Sequence, residues 1–442
     1  MVRRRRATAI AGALALALSA SAAWGNGRPP QTNGVVFAPG DTHSMYVRAT
    51  FGLLVSHDDG CTFDWICDAA FNVGGTYDPH VVVTSDGAIL TTSFSGVSVS
   101  RDGGCTFQGV SVGTSGRYID ALALGPTGEI WAATSDTVGP GGIFASVDNG
   151  ATFAARGTVP SAVEWHSLVV APSAARRVYA SGVEAGMAGS DAGLSALPHV
   201  EISDDSGSTW AESPLAGVAY ASYPAPRVAA VDPGNPDIVY LVSEGANPPS
   251  GDLLYRSSDG GMTWTMVLAT TQPIHDRIVI IDQQVVVASE RGGSFRSADR
   301  GITFQPLAGA PQLSCLGLRD DGLLVGCGAN WDPDYMAVAS SRDGGSTWQK
   351  VWRFAQLHGA LACPSGTIQH DTCEAMQWDV LRQQFGATGP TCGSNVWPSD
   401  RATVTHSGGC CDAQREPGGS LAAIAVVLVA GVRRRRQCAT RK

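Results

Sequence analysis

At 442 residues the chain is long enough for two average domains or one large all-β domain, and 54 Gly, 24 Pro and only 16% charged residues favour many short strands and tight turns over a helical protein. Ten of its 30 basic residues (Arg3–Arg6, Arg433–Arg436, Arg441, Lys442) lie in removable terminal segments, leaving 20 against 39 acidic ones. A mature charge of about −19 excludes phosphate-rich partners such as nucleic acid. The chain begins "MVRRRRATAIAGALALALSASAAWG": four arginines, an apolar run from Ala7 to about Ala17, then small residues ending Ser21-Ala22-Ala23. That run is short of the ~20 residues a membrane span needs, so residues 1–25 are expected to be an export signal cleaved after Ala23 or Gly25.

The body of the chain repeats one phrase seven times: "SHDDGCTF", "SRDGGCTF", "SVDNGATF", "SDDSGSTW", "SSDGGMTW", "SADRGITF" and "SRDGGSTW", all Ser-x-Asp-x-Gly-x-Thr-[Trp/Phe]. The central residues are Asp58, Asp102, Asp148, Asp205, Asp259, Asp299 and Asp343, spaced 44, 46, 57, 54, 40 and 44 apart. A period near 45 with strand-like content is the length of one four-stranded propeller blade. Within each unit the phrase falls at the turn between the third and fourth strands. Asp and Gly suit that turn, Ser and Thr hydroxyls bond across its neck, and the aromatic packs between blades. The first run of each unit is nearly continuously apolar, which predicts an inner strand buried on both faces.

These residues resemble the Asp-box (BNR) repeat family across about residues 34–352, similar to photosystem II assembly-factor-type and sialidase-like propellers. The resemblance implies boxes on the outer rim, away from a central ligand site. Seven boxes predict an all-β, seven-bladed β-propeller of four-stranded antiparallel blades at 26–352. Both terminal units look intact, so no shared strand locks the ring; "FAQLHGALACPSG" is a candidate to supply one.

Five segments leading into inner strands fall 16 to 22 residues after each box Asp: "YDPH", "YID", "EWH", "YPAPR" and "HDR". Superposed by the repeat, they form a predicted ligand ring of Asp78, His80, Asp120, Glu164, Trp165, His166, Arg227, His275, Asp276 and Arg277. Sialidase relatives clamp a carboxylate with three arginines, whereas the ring holds only Arg227 and Arg277 and the chain has no Arg-Ile-Pro-like segment. A glycosidase using Asp120 with Glu164 or Asp276 stays open, its support being the separation of those carboxylates. The Asp-Asp-Gly phrases lack the alternating oxygens and closing Glu of a calcium loop, and no cysteine has zinc spacing, so no metal or cofactor is expected.

Eleven cysteines in an exported chain predict disulfides. Cys315 and Cys327 flank a turn at Asp321 and are expected to bridge across strands. Cys61 and Cys67 are expected to close a small loop, and Cys105 to be an unpaired core thiol; connectivity of Cys363, Cys373 and Cys392 is open. Residues 353–409 form a Cys-containing extension and tether. In it "HDTCEAMQWDVLRQQFG" reads as one amphipathic helix, N-capped by Asp371, stopped by Gly386, docking Trp378, Leu381 and Phe385 on the ring. Residues 410–442, with Cys410 and Cys411, an apolar Leu421–Val432 run and four arginines, resemble the MYXO-CTERM class of sorting signals. That resemblance implies a C-terminal sorting protease, processing or lipidation at a cysteine, and a membrane-associated protein at the cell surface or outer membrane, or released outside the cell.

Together these readings favour a surface-displayed binding or scaffold propeller recognising a glycan, peptide or surface protein at one channel mouth. A secreted glycoside hydrolase and a purely structural envelope component are the alternatives.

Overall fold

The computed structural model describes residues 29–392 apart from 75–76, 114–115, 136–138, 185–196, 221–225, 245–250, 275–277, 290, 332 and 391. The regions expected to hold the export signal, the sorting signal, Cys410 and Cys411 lie outside the described residues.

Seven antiparallel sheets follow one another in chain order, each a simple meander of four strands, with one extra strand on the first. Their first strands are Thr32–Val36, Val81–Val83, Ile119–Leu124, Val163–Val170, Arg227–Asp232, Ile278–Ile281 and Cys315–Leu318. Each first strand touches the next around the ring, and the seventh touches the first, so seven blades close around a central channel. Apolar faces of neighbouring blades supply the core. Trp131, Trp165 and Ala180 join blades 3 and 4, and Tyr179, Val228 and Leu241 join blades 4 and 5.

Burial within a blade corrects one expectation. Among the described strands, Ile89–Ser93 and Ile130–Thr134, second in their blades, are buried at every position, while the first strands alternate buried and half-exposed residues. The first strand borders the channel, so one of its faces is only partly covered; the second is flanked by strands and by both neighbouring blades.

All seven repeated phrases lie between third and fourth strands and share one bonding pattern. In the sixth, Ser297 Oγ donates to Asp299 Oδ1 (2.6 Å) and accepts the Gly301 N–H (2.8 Å). The Thr303 N–H and hydroxyl donate to the two Asp299 oxygens at 2.9 and 2.7 Å. Threonine donors hold Asp148, Asp205, Asp259 and Asp343 at about 2, well below the ordinary carboxylate value.

No blade borrows one of its four strands to close the ring, but the segment expected to supply a lock, 354–366, adds a fifth strand to blade 1. Blade 7 meets blade 1 through Thr32, whose hydroxyl donates to the Gly328 and Ala337 carbonyls (2.9 and 2.6 Å) while Ser314 Oγ donates to the Thr32 carbonyl (2.5 Å). Past blade 7, Gly359–Ala360 adds a parallel fifth strand to the outer edge of blade 1 beside Asp64 and Trp65. The Cys315–Cys327 bridge forms as expected, between directly facing residues whose Cα atoms are 4.9 Å apart.

The other pairings differ from expectation. Cys61 and Cys67 do not bond each other: Cys61 joins Cys392 and Cys67 joins Cys373. Cys105 is no free thiol, since it bridges to Cys363. Spacing in sequence carried no sign of this because the partners are brought together by the returning extension, 258 to 331 residues away.

The expected helix forms as one continuous segment, with a different pitch in its first half and a different start. Gln369–Gln377 is π-helical and continues into an α-helix, α1, at Trp378–Phe385, which Gly386 ends with φ +58°. Asp371 is not the N-cap. The helix starts from Ile368, and the Asp371 carboxylate accepts the Gly366 N–H (3.1 Å) and pairs with His370 Nδ1 (2.6 Å). Docking is as read: Leu381 is buried, Phe385 packs on Phe51 and Phe354 at 4.9 and 4.8 Å, and Trp378 lies beside Trp65.

Candidate functional site at one mouth of the channel

The two faces of the ring are built differently. The repeated phrases pack against first hairpins: Asn149 Nδ2 donates to Asp86 (2.7 Å), and the Gly260 N–H donates to the Asp237 carbonyl (3.0 Å). Segments leading into first strands come out on the opposite face, beside the ends of second strands. There the His80 carbonyl accepts the Thr92 N–H (3.0 Å) and the Tyr118 carbonyl accepts the Ser135 N–H (2.9 Å).

β-Bulges decide which side chains meet on this face. In blade 3, Ile119 faces Thr134 and Ala121 faces Ala133, so Asp120 is the extra residue. In blade 4, Trp165 faces Gly182 and Ser167 faces Ser181, so His166 is extra. A bulge breaks the strict two-residue alternation and re-aims its extra side chain. These two meet across the blade boundary, with Asp120 Oδ2 3.0 Å from His166 Nδ1. The Tyr118 hydroxyl donates to Asp120 Oδ1 (3.0 Å), and Ser135 Oγ lies 3.1 Å from the same His166 nitrogen. Both Asp120 oxygens are therefore engaged.

Beside this pair stands an aromatic group. The Phe94 and Tyr118 rings stack with centroids 5.3 Å apart, and Tyr77 lies 4.8 Å from Phe94 and 5.4 Å from Tyr118. Phe94, at the tip of blade 2's second hairpin, is 54% exposed despite its size. Burial, then the Asp120 charge, pushes the Tyr118 hydroxyl far above the ordinary phenol value, so it stays protonated and donates.

Blade 1 repeats the bulge at Asn33, between Thr32 facing Ala49 and Gly34 facing Arg48. Asn33 Nδ2 donates to Asp78 (2.8 Å), and Arg48 donates from Nε to Asn33 Oδ1 (2.9 Å) and from Nη1 to the Pro79 carbonyl (3.0 Å). Arg48 and His80 line a channel cavity of about 310 Å³ between the inner strands of blades 1, 2, 3 and 7.

The predicted ring thus divides. Asp120 and His166 come together, and Asp78 and His80 join a second group around Asn33 and Arg48. Glu164 is half-buried one strand position from Trp165, and Arg227 is half-buried at the start of blade 5's first strand. Trp165 is fully buried in the core between blades 3 and 4, which removes it from the mouth. His275, Asp276 and Arg277 lie outside the described residues. Sequence reasoning passed over Asn33, Arg48, Phe94 and Ser135. Phe94 carried a signal, a large aromatic at the tip of a predicted hairpin, whereas a bulge has no composition of its own. Among the described residues no group of three or more His, Cys, Asp or Glu is placed to hold a metal ion.

No family model matches the sequence, and no curated protein matches it. Among solved structures the chain is similar to an ancestral GH74 enzyme, at 17% identity and TM-score 0.54, over 74% of this chain and 47% of that one. It is also similar to the GH74 xyloglucanase from Xanthomonas campestris, at 16% identity and TM-score 0.44, over 72% of this chain and 60% of that one. A third, YCF48 bound to D1 peptide, gives 16% identity and TM-score 0.38, over 59% and 76%. The chain spans about half to three fifths of the two GH74 enzymes, and at these identities the likeness is one of propeller fold alone.

Proposed function

We propose that the protein is an exported Asp-box propeller, displayed at the cell surface, that binds a glycan without cleaving it on the mouth formed by blades 2 to 4. The observation that carries this reading is the exposed Phe94 stacked on Tyr118 beside the Asp120–His166 pair. An exposed aromatic ring offers its flat face to the C–H side of a sugar, and neighbouring hydroxyl groups offer bonds to sugar hydroxyls. A binding role is favoured over hydrolysis because both Asp120 oxygens are already bonded, to Tyr118 and His166. A carboxylate nucleophile needs an oxygen open to the substrate. Four disulfides are consistent with an oxidising compartment and hence with export. Processing by a sorting protease and attachment through a processed cysteine are implied by the C-terminal resemblance.

The test is a glycan array with the purified protein, followed by calorimetry on hits. Phe94→Ala is expected to weaken binding about tenfold, equivalent to ~1.4 kcal/mol, with unchanged circular dichroism. Binding to no glycan, or binding indifferent to Phe94→Ala, overturns the reading. Release of reducing sugar that disappears in Asp120→Asn or Glu164→Gln would establish the hydrolase instead.

A further inference from the structure

Six of the seven blade junctions join blades consecutive in the chain; the junction between blades 7 and 1 joins the two that are not. The segment that leaves blade 7 braces this seam. After Trp352 the extension crosses onto blade 1, adds Gly359–Ala360 to its outer edge, and buries Gln369, whose Nε2 donates to the Trp65 carbonyl (2.8 Å). It is then fastened three times. Cys363 reaches Cys105 in the repeated phrase of blade 2, while Cys373 and Cys392 reach Cys67 and Cys61 on the outer hairpin of blade 1.

Each bridge ties the segment leaving blade 7 covalently to blade 1 or blade 2 and so links the two sides of the seam. The Cys315–Cys327 bridge does not, since both its ends lie in blade 7. Blades 1 and 2 also carry Asn33, Arg48, Asp78 and Phe94, so the alignment held by the bridges includes part of the channel mouth.

We propose that the extension is a redox-dependent clasp: the bridges from the extension to blades 1 and 2, while oxidised, hold the seam between blades 7 and 1 against local opening. Each bridge forms when two thiols give up two protons and two electrons to a disulfide-bearing oxidant, which leaves as its dithiol. In a reducing compartment the six thiols stay unbonded, and the seam is held by non-covalent contacts alone: Thr32, Ser314 and their carbonyl partners, the Arg319–Asp59 pair, and the apolar cluster shared by blades 7 and 1. The three bridges differ in access: Cys67 and Cys373 are buried, whereas Cys392 is exposed and Cys61, Cys105 and Cys363 are partly covered. Reduction therefore proceeds inward, and the Cys67–Cys373 bridge is the last to yield.

The clasp is tested by hydrogen exchange on the full-length protein. The amide of Thr32, bonded to the Gly328 carbonyl (3.4 Å), reports the seam, and the amide of Val228, bonded to Ser181 Oγ (3.0 Å), reports the junction of blades 4 and 5. Replacing all six clasp cysteines (Cys61, Cys67, Cys105, Cys363, Cys373 and Cys392) by alanine is expected to speed exchange at Thr32 at least tenfold and to leave Val228 unchanged. Cys315→Ala/Cys327→Ala, which removes the bridge within blade 7, is expected to leave both unchanged. Should the first variant fail to fold, dithiothreitol added to the folded second variant opens the clasp bridges alone, with the same expected result. Equal acceleration at both amides, or none at Thr32, overturns the proposal.

Discussion

At the scale of single residues, the repeated phrase shows how few atoms a turn needs. Ser297 is buried, and its hydroxyl serves Asp299 and Gly301 at once. Ser297→Ala strands those partners, and a loss of about 1–3 kcal/mol is expected from urea denaturation; a change below ~0.5 kcal/mol would refute the bonding argument. Glu201 runs the other way. It is 5% exposed and sits directly opposite Glu212 on the outer hairpin of blade 4. Burial first, and the Glu212 charge second, raise its carboxyl to about 7. A value raised above the unfolded one means the stability it contributes is complete below about pH 4.5 and is lost as pH rises through 7. Glu201→Gln is therefore expected to stabilise the protein at pH 8 and to have little effect at pH 5, read from denaturation midpoints at both. A larger gain at pH 5 would reverse the sign and sink the argument.

Secondary-structure elements were legible where the pattern is local. Strands, the turn at Asp321 and the Gly386 stop of α1 follow from apolar runs and glycine positions. The start of the helical segment was not, because Asp371 fits a cap by type while the chain had already turned helical from Ile368. Nor were the bulges at Asn33, Asp120 and His166, since a register slip arises from pairing with the next strand and leaves no mark in the strand's own alternation. The docked extension makes its own prediction. Gln369 bonds the Trp65 carbonyl and accepts the Cys67 N–H (3.3 Å). Gln369→Leu takes the side-chain partner from the buried Cys67 N–H, while the Trp65 carbonyl keeps the Leu361 N–H (2.8 Å), and is expected to cost about 1–3 kcal/mol, measured by urea denaturation of the oxidised protein. A neutral result would mean that the bridges alone position the extension.

For the molecule as a whole, the seven phrase carboxylates sit below the ordinary aspartate value. Depressed folded values give stability that is present above about pH 4 and is lost as pH falls through about 2. Cooperative acid unfolding between those limits is expected by far-ultraviolet circular dichroism, and a midpoint above pH 5 would contradict it. The sequence alone determined the seven blades, their four-strand meander and the place of the repeated phrase, because each depends on contacts within about 45 residues of chain. The repeat also placed the described lead-in segments of blades 2 and 3 beside the ends of second strands. Tertiary structure alone decided that Asp120 meets His166, that Trp165 is core, and that Cys61, Cys67 and Cys105 bond the returning extension. Those outcomes depend on how neighbouring blades register and how the ends of the chain meet, and contacts between distant residues have no period for a sequence to display.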